Sequence, residues 1–468
     1  MKARIRTVAG AAAIVAARLV GSGPAPPQDS VTMDLPTARA FARGALLRGQ
    51  PARARATALG LLRVEPRGPV ALRVLSAAET ALGAPGDGAE AAGRAFRLSQ
   101  APAARYEAAM LAALAHATAE NDLRARIWLR RALQATDDPA AKAVAARSHM
   151  QLQRRARLVF DWHLSAAPSS NVNNGSRHEQ DTTLGWAGRL SPDAQALSGW
   201  AAQFGVNARW RIAESTAQRT ELTGAVFLRD VRLSRRSKDL LEAWRLEQLA
   251  LGNVVTPQTD FDYAAVEAGI MQTRRAGRGM VFAGAAAGHR WYAGRDLSDY
   301  LRLDLGGEVP QDARTSLNAR LTLERQWRRD RPAAGSDTVS AQVGVVRALG
   351  NGDMLRLSIG ARDVASDALD VAHDAGRLRL AWERGAPVAG VRLAAAVGAE
   401  RRRYRPSLFA PAGRRDLTLD AELSLTFERI DYMGFAPTVD IRATRFRSNV
   451  TRFDGRDLGL TVGFRSQF

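Results

Sequence analysis

Few residues of this 468-residue chain stand in an arrangement that could do covalent chemistry. The six histidines (His116, His149, His163, His178, His289 and His373) are scattered, and no two stand four apart, the helical spacing that lets a pair share one metal ion. His178-Glu179-Gln180-Asp181 sets acidic groups beside one imidazole but lacks the second, and reads as a polar loop. No G-x-S-x-G turn presents a serine nucleophile, and no glycine-rich loop ending in Lys-Ser/Thr is there to cradle a phosphate. The sequence has no cysteine, which removes thiolate metal sites, disulfides and cysteine nucleophiles. The expectation is a protein that is not an enzyme and holds neither cofactor nor metal.

What the charged residues offer instead is a shared face. Asp416, Asp420, Glu422 and Glu428 fall on even positions of one run, and Arg320, Arg356, Arg377 and Arg379 hold equivalent alternate positions in earlier runs. Side chains of a strand point to opposite faces with period two, so within each run the charges share one face. Mixed charge there favours internal ion pairs and a narrow or closed channel, with bracing as its plainest role. A uniformly cationic lining would instead have suited an anion-selective pore.

The elements that must position these groups are strands. From Asp416 to Glu428 the other face carries Leu417, Leu419, Ala421, Leu423, Leu425 and Phe427, all apolar. The last run repeats the pattern with Leu458, Leu460, Val462, Phe464 and Phe468. Alternation of this kind predicts strands near 157–166, 198–212, 219–232, 261–272, 279–292, 299–309, 314–328, 337–348, 353–364, 374–384, 388–403, 416–429, 434–447 and 456–468. A run at 183–190 and the stretch 238–251 are candidate extra strands or loops. Trp291, Tyr292, Trp327, Trp382 and Tyr404 lie toward strand ends, where aromatic girdles sit. Apolar-out, polar-in strands in even number predict a closed transmembrane β-barrel of about fourteen strands over 157–468, with the charged face lining its lumen. A soluble β-sandwich is the alternative. Phe464 and Phe468 are expected to act as the signal by which a barrel-assembly machinery takes the last strand.

Ahead of the strands, residues 36–156 are rich in Ala, Leu and Arg at helical spacing, with helices predicted near 36–48, 51–64, 68–83, 86–99, 102–119, 121–135 and 139–153. Pro66, Pro102 and Pro139 follow helix ends at intervals of 36 and 37 residues, near the period of about 34 of paired tetratricopeptide helices. A repeat domain binding a partner is expected, against a plain plug or spacer. Residues 1–30 read as a signal peptide and linker: Lys2, Arg4 and Arg6 precede the apolar Val8–Ala17, and Pro24, Pro26 and Pro27 follow. The fold class is therefore α+β multidomain. The formal charge of +20 comes almost wholly from arginines dispersed through both parts, which argues against a nucleic-acid site.

At the junction stands Pro168-Ser169-Ser170-Asn171-Val172-Asn173-Asn174, and before the last strand Arg445-Phe446-Arg447-Ser448-Asn449-Val450. With the repeats ahead of them, these resemble the surface lipoprotein assembly modulator (Slam) family of type XI secretion, over residues 36–468. The resemblance implies a periplasmic tetratricopeptide domain joined to a fourteen-stranded outer-membrane barrel. Its implied work is export or surface display of a protein cargo, lipidated or soluble, often one that acquires metal or haem. It further implies a cargo-contact or gating role for Ser170, Asn171, Val172, Asn173 and Asn449. Turn chemistry is the plain alternative for these residues, because Asn and Ser satisfy the backbone at bends. The helical part is shorter than the family's, about three repeats. Expected partners are the cargo, a periplasmic chaperone, the barrel-assembly machinery and outer-membrane lipid. A passive diffusion porin and an exopolysaccharide export barrel are the other readings.

Overall fold

The computed structural model describes residues 33–181, 188–407, 410–430 and 432–466, so the signal-peptide stretch and Phe468 lie outside the described residues. Seven helices come first: α1 (Leu35–Leu47), α2 (Pro51–Val64), α3 (Pro69–Ala81), α4 (Pro85–Leu98), α5 (Pro102–Thr118), α6 (Asp122–Gln134) and α7 (Pro139–Arg155). Five begin on a proline, whose missing N–H breaks no bond in a first turn and whose fixed φ suits the helix. Asp34, Asn121 and Asp138 cap α1, α6 and α7, accepting from the N–H of Thr37 (3.1 Å), Arg124 (3.2 Å) and Ala140 (3.0 Å).

Each helix packs on the next, and α3 also touches α1 and α5, so the hairpins stack as repeats do. Alanine makes this possible. Ala42, Ala45, Ala54, Ala58, Ala71 and Ala78 are buried together, and such small side chains let the helices approach closely, with Leu61 and Val74 filling between them. Ion pairs stitch successive hairpins, Arg55 to Glu79 at 2.7 Å and Arg73 to Glu107 at 2.8 Å.

After α7 the pattern changes to strands: β1 (Leu158–Ser169), β2 (Gln180–Asp181), β3 (Gly188–Arg189), β4 (Gly199–Glu214) and β5 (Gln218–Leu233). An eighth helix, α8 (Arg235–Ala250), interrupts them. Then come β6 (Tyr263–Ala276), β7 (Gly279–Tyr292), β8 (Arg295–Pro310), β9 (Thr315–Arg328), β10 (Ser336–Ala348), β11 (Met354–Ala365) and β12 (His373–Glu383). The last are β13 (Val391–Tyr404), β14 (Arg415–Phe427), β15 (Phe435–Ser448) and β16 (Gly455–Ser466). β1 pairs with β4 on one side and β16 on the other, closing a fourteen-stranded antiparallel barrel in which β2 and β3 take no part.

Two expectations need correction. The stretch 238–251 is neither strand nor loop but α8, capped by Ser234, whose hydroxyl accepts from Ser237 N. Since β5 pairs directly with β6, the barrel has no place for a strand there. The run at 183–190 contributes only β3, paired with β2, and its residues 183–187 lie outside the described set.

The barrel strands run from 11 to 16 residues, enough for a tilted strand to cross an apolar layer of about 25 Å. The wall is apolar outside. Val343 is 57% exposed, Ile359 54% and Leu378 49%, and Leu301, Leu303, Leu305, Leu419 and Leu423 are exposed too. In water such a contiguous surface would be far larger than soluble monomers show. No helix among the described residues is long and apolar enough to cross a membrane.

The two rims differ. At the end where the helices attach, the connections are 215–217, 277–278, 311–314, 349–353, 384–390 and 428–434. At the far end they include 170–198 and 234–262, the latter holding α8. The helices are fixed to the near rim. Arg130 of α6 donates to the carbonyl of Met433 (3.0 Å) and lies over the Phe435 ring at 4.2 Å, while Met433 N donates to Gln134 at 2.8 Å. Arg211 of β4 donates to the carbonyls of Arg154 (2.8 Å) and Ala156 (3.1 Å), where α7 passes into β1.

Candidate functional site

The ladder register brings the scattered arginines and carboxylates onto one lumen wall. Arg320, Gln342, Gly360 and Arg377 are successive register partners across β9 to β12, and Arg379, Gly398 and Asp420 across β12 to β14. Arg377 bridges to Glu400 (3.2 Å) and Asp420 (3.1 Å), and Arg379 to Asp420 (2.8 Å) and Glu422 (3.1 Å). Arg362 and Arg402 also reach Glu400, at 3.2 and 2.5 Å, and Arg442 reaches Glu422 at 3.6 Å. The result is a zigzag of alternating charge from β11 to β15.

The rest of the expected lumen set lies at the margins of this network. Arg356 pairs with Glu383 at 3.2 Å. Asp416 takes Arg414 at 3.1 Å and the Ser448 hydroxyl at 2.7 Å, toward the far end. Glu428 falls just beyond β14 at the near rim, where Arg392 bridges to it at 2.6 Å. Arg320 lies 5.2 Å from the centroid of the Phe282 ring. Glu400, the hub, was not among the expected residues. It sits in the Ala- and Arg-rich strand 388–403, whose alternation is too weak to single out one position.

A second network braces the opposite wall. Arg302 bridges to Glu267 (2.7 Å) and Asp304 (2.9 Å), and Tyr300 donates to Glu267 at 2.8 Å. Tyr300 lies flat over Gly288, where an added Cβ would come within 2.4 Å of the phenol carbon. Glycine at 288 is thus what lets the ring lie against the wall.

The segment that carries Ser170 to Asn173 packs against the far rim, and Asn171 there joins the lining of the lumen. Val172 is buried with Leu197, Ala201, Val231, Leu233, Leu241 of α8 and Phe261, a small apolar core set inside the rim. Asn171 donates to the carbonyl of Gly175 at 2.9 Å and accepts from its N–H at 2.7 Å. Asn173 donates to the carbonyls of Asp193 (2.9 Å) and Gln195 (2.7 Å) and accepts from Leu197 N at 2.9 Å. Ser170 accepts from Leu458 N at 3.2 Å. Asn449 does the same work nearby, accepting from Arg415 N at 2.6 Å and donating to the Gly413 carbonyl at 2.9 Å. These side chains hold the backbone of the connections at the far rim. Beneath it a chamber of about 640 Å³ is lined by His163, Gln203, Arg229, Asp440, Arg442 and Asp457.

Phe464 points outward from β16 and is 55% exposed. No group of three or more His, Asp or Glu side chains is placed to hold a metal ion among the described residues. The histidines stay apart: His149 is buried in α7, and His163 lies against Gly205 in the lumen. Burial, with Arg130 and Arg126 close by, pushes the His149 imidazole down to about 4.

No protein-family model and no curated protein sequence matches this chain. Among solved structures, the outer membrane channel DcaP of Acinetobacter baumannii is 8% identical, covering 66% of this chain and 98% of that one with a TM-score of 0.36. A loop-deleted form of OmpT, an outer membrane protein of Vibrio cholerae, is 7% identical over 66% and 99%, with a TM-score of 0.35. The Sgt2 TPR domain from Aspergillus fumigatus is 18% identical, covering 25% of this chain and 81% of that one with a TM-score of 0.22.

Proposed function

We propose that this chain is an outer-membrane translocator that exports or displays a protein cargo, with its helical repeats in the periplasm engaging that cargo or a chaperone carrying it. The observation that carries the reading is the join of two unlike parts. A stacked-hairpin domain of the kind that binds polypeptide is fastened, by Arg130 and Arg211, to one rim of a closed barrel. The apolar outer wall supports placement in a bilayer, and so do the outward Trp162 and Trp210 toward the near rim and Trp200 and Trp327 toward the far one. Short connections on the helical side support a periplasmic position for that side. The resemblance of the Asn-rich junction motif and the Arg445–Val450 motif to the Slam family points the same way, toward a lipoprotein or a metal- or haem-acquiring cargo. The last strand, with Phe464, is what a barrel-assembly machinery would take up.

In this mechanism residues 170–181 and 188–198, with α8, close the far mouth at rest, and cargo captured by the repeats displaces them. The lumen offers both charges along its wall, so an extended chain meets acceptors and donors and no single-sign barrier. A passive diffusion porin would gain nothing from a domain fixed to its rim, and an exopolysaccharide exporter would carry a longer repeat array. Deleting the gene and comparing surface and released proteins by protease shaving and mass spectrometry tests the reading. Complementation uses full-length and helix-deleted protein. Retention of one protein in the periplasm, relieved only by the full chain, is the expected result. Loss of small-solute uptake with no protein retained would replace the reading with a porin.

A further inference from the structure

We propose that the cleft between α7 and the near end of β4 is a binding site for the phosphate of an anionic phospholipid. The site rests on the reading of the barrel as membrane-spanning. The cleft has a volume of about 1110 Å³. One face of α7 forms its side, with Arg147, Met150, Gln151 and Arg154 following one another at the spacing that aligns residues along a helix. Arg157, in the connector to β1, adds a third free guanidinium, and Ile212 of β4 stands opposite.

Not every arginine in the cleft is available. Arg211 is spent on the carbonyls of Arg154 and Ala156 and on Glu214, and Arg155 on Asp122 and the Ala117 carbonyl. Glu214 is further neutralised by Arg219. Arg147, Arg154 and Arg157 remain exposed, with no carboxylate partner among the described residues. Three cations without carboxylate partners lining one cleft favour an anion, and guanidinium suits phosphate oxygens, which it can engage with two N–H groups at once.

The surroundings say which anion. Ile212 is 48% exposed on the outer wall, and beyond it come Trp210 and Leu158, which are cross-strand partners and also exposed. A ligand seated here has its charged end among the arginines and its remainder against lipid-facing residues at the aromatic edge of the wall. That is the geometry of a phospholipid at the membrane boundary, and basic clefts at that level hold anionic head groups.

Full-length protein in phosphatidylcholine nanodiscs with and without phosphatidylglycerol, analysed by native mass spectrometry, tests the site. Phosphatidylglycerol should be retained over phosphatidylcholine by about tenfold. The triple variant Arg147→Gln/Arg154→Gln/Arg157→Gln should lose that preference. A charge-matched control, Arg43→Gln/Arg48→Gln/Arg63→Gln, should keep it. Equal loss in both triples would mean diffuse attraction and overturn the site. Release of the lipid by inorganic phosphate, or binding of an acidic peptide in its place, would overturn the lipid assignment. Failure of the wild-type protein to enter nanodiscs would overturn the membrane reading and the site together, a result distinct from insertion without lipid preference.

Discussion

Acidification should loosen the helical domain, above all through His149. In the folded chain its imidazole, 2% exposed in α7, is held neutral by burial and by Arg130 and Arg126, with its pKa pushed down to about 4 from the ordinary 6.5. The unfolded chain takes up a proton as pH falls through 6.5, while the folded chain does not until about 4. Stability is therefore fully present above 6.5 and is lost progressively as pH falls toward 4. At pH 5 the imbalance costs about 2 kcal/mol, and it levels off near 3 kcal/mol below pH 4. Because Arg130 is also the residue that reaches the Met433 carbonyl and the Phe435 ring, the loosening should extend to the join with the barrel. Urea titration with pulse proteolysis, on full-length protein in detergent, reads the helical domain's unfolding while the barrel stays folded. Between about pH 7.5 and pH 5 the midpoint should fall in wild type and fall clearly less in His149→Gln, where only the smaller contribution of His116 remains. An equal fall in both proteins would refute the assignment to His149.

Three further outcomes are expected. Asp420→Asn leaves Arg377 and Arg379 facing each other without their shared carboxylate, and should cost about 2 kcal/mol of barrel stability in guanidinium unfolding from micelles; a cost within error of zero would mean that solvent already screens the pair. Gly288→Val drives a branched side chain into the Tyr300 ring and should cost about 1–3 kcal/mol in the same assay, whereas Gly376→Ala, with nothing near its Cβ, should cost far less. Arg130→Ala removes the 3.0 Å bond to Met433 and the stack on Phe435, and should speed hydrogen exchange in α6 and 432–435 with the α1–α4 amides unchanged; unchanged exchange at both sites would mean that Arg211 alone secures the domain.

The strands were legible because a closed barrel with an apolar outer wall leaves its pattern in the sequence. Leu419 and Leu423 in one run, and Leu378 and Leu380 in another, share a parity that makes an apolar wall, while Asp420 and Arg379 take the other face. Helices were legible from the prolines that break them, and Pro51, Pro102 and Pro139 prove to stand at the first position of the helix that follows each break. Pairing was less so. Which carboxylate meets which arginine depends on register between strands, and Glu400 became the hub only because β13 lies between β12 and β14. Segment 238–251 misled because Leu240, Leu241, Leu246 and Leu249 suit either a strand or a helix at short length. The deciding features, the Ser234 cap and the burial of Leu241 against Val172, are tertiary. The Ser170–Asn173 motif announced bends, but no local signal says which backbone at the far rim those side chains hold.

The passage from α7 into β1 takes only Ala156 and Arg157, and the Arg211 side chain holds it through the carbonyls of Arg154 and Ala156. Seventeen helical residues, roughly 26 Å of stiff rod, thus act as a lever whose fulcrum is the first strand of the barrel. β1 is matched to β4 along its whole length, yet among the described residues it meets β16 in register only at Ser165, Ala166 and Ser169. A pull on the repeats would therefore reach the barrel at two staves, β1 through the α7 lever and β15 through Arg130, and of the two it is β1 that is thinly matched to a neighbour.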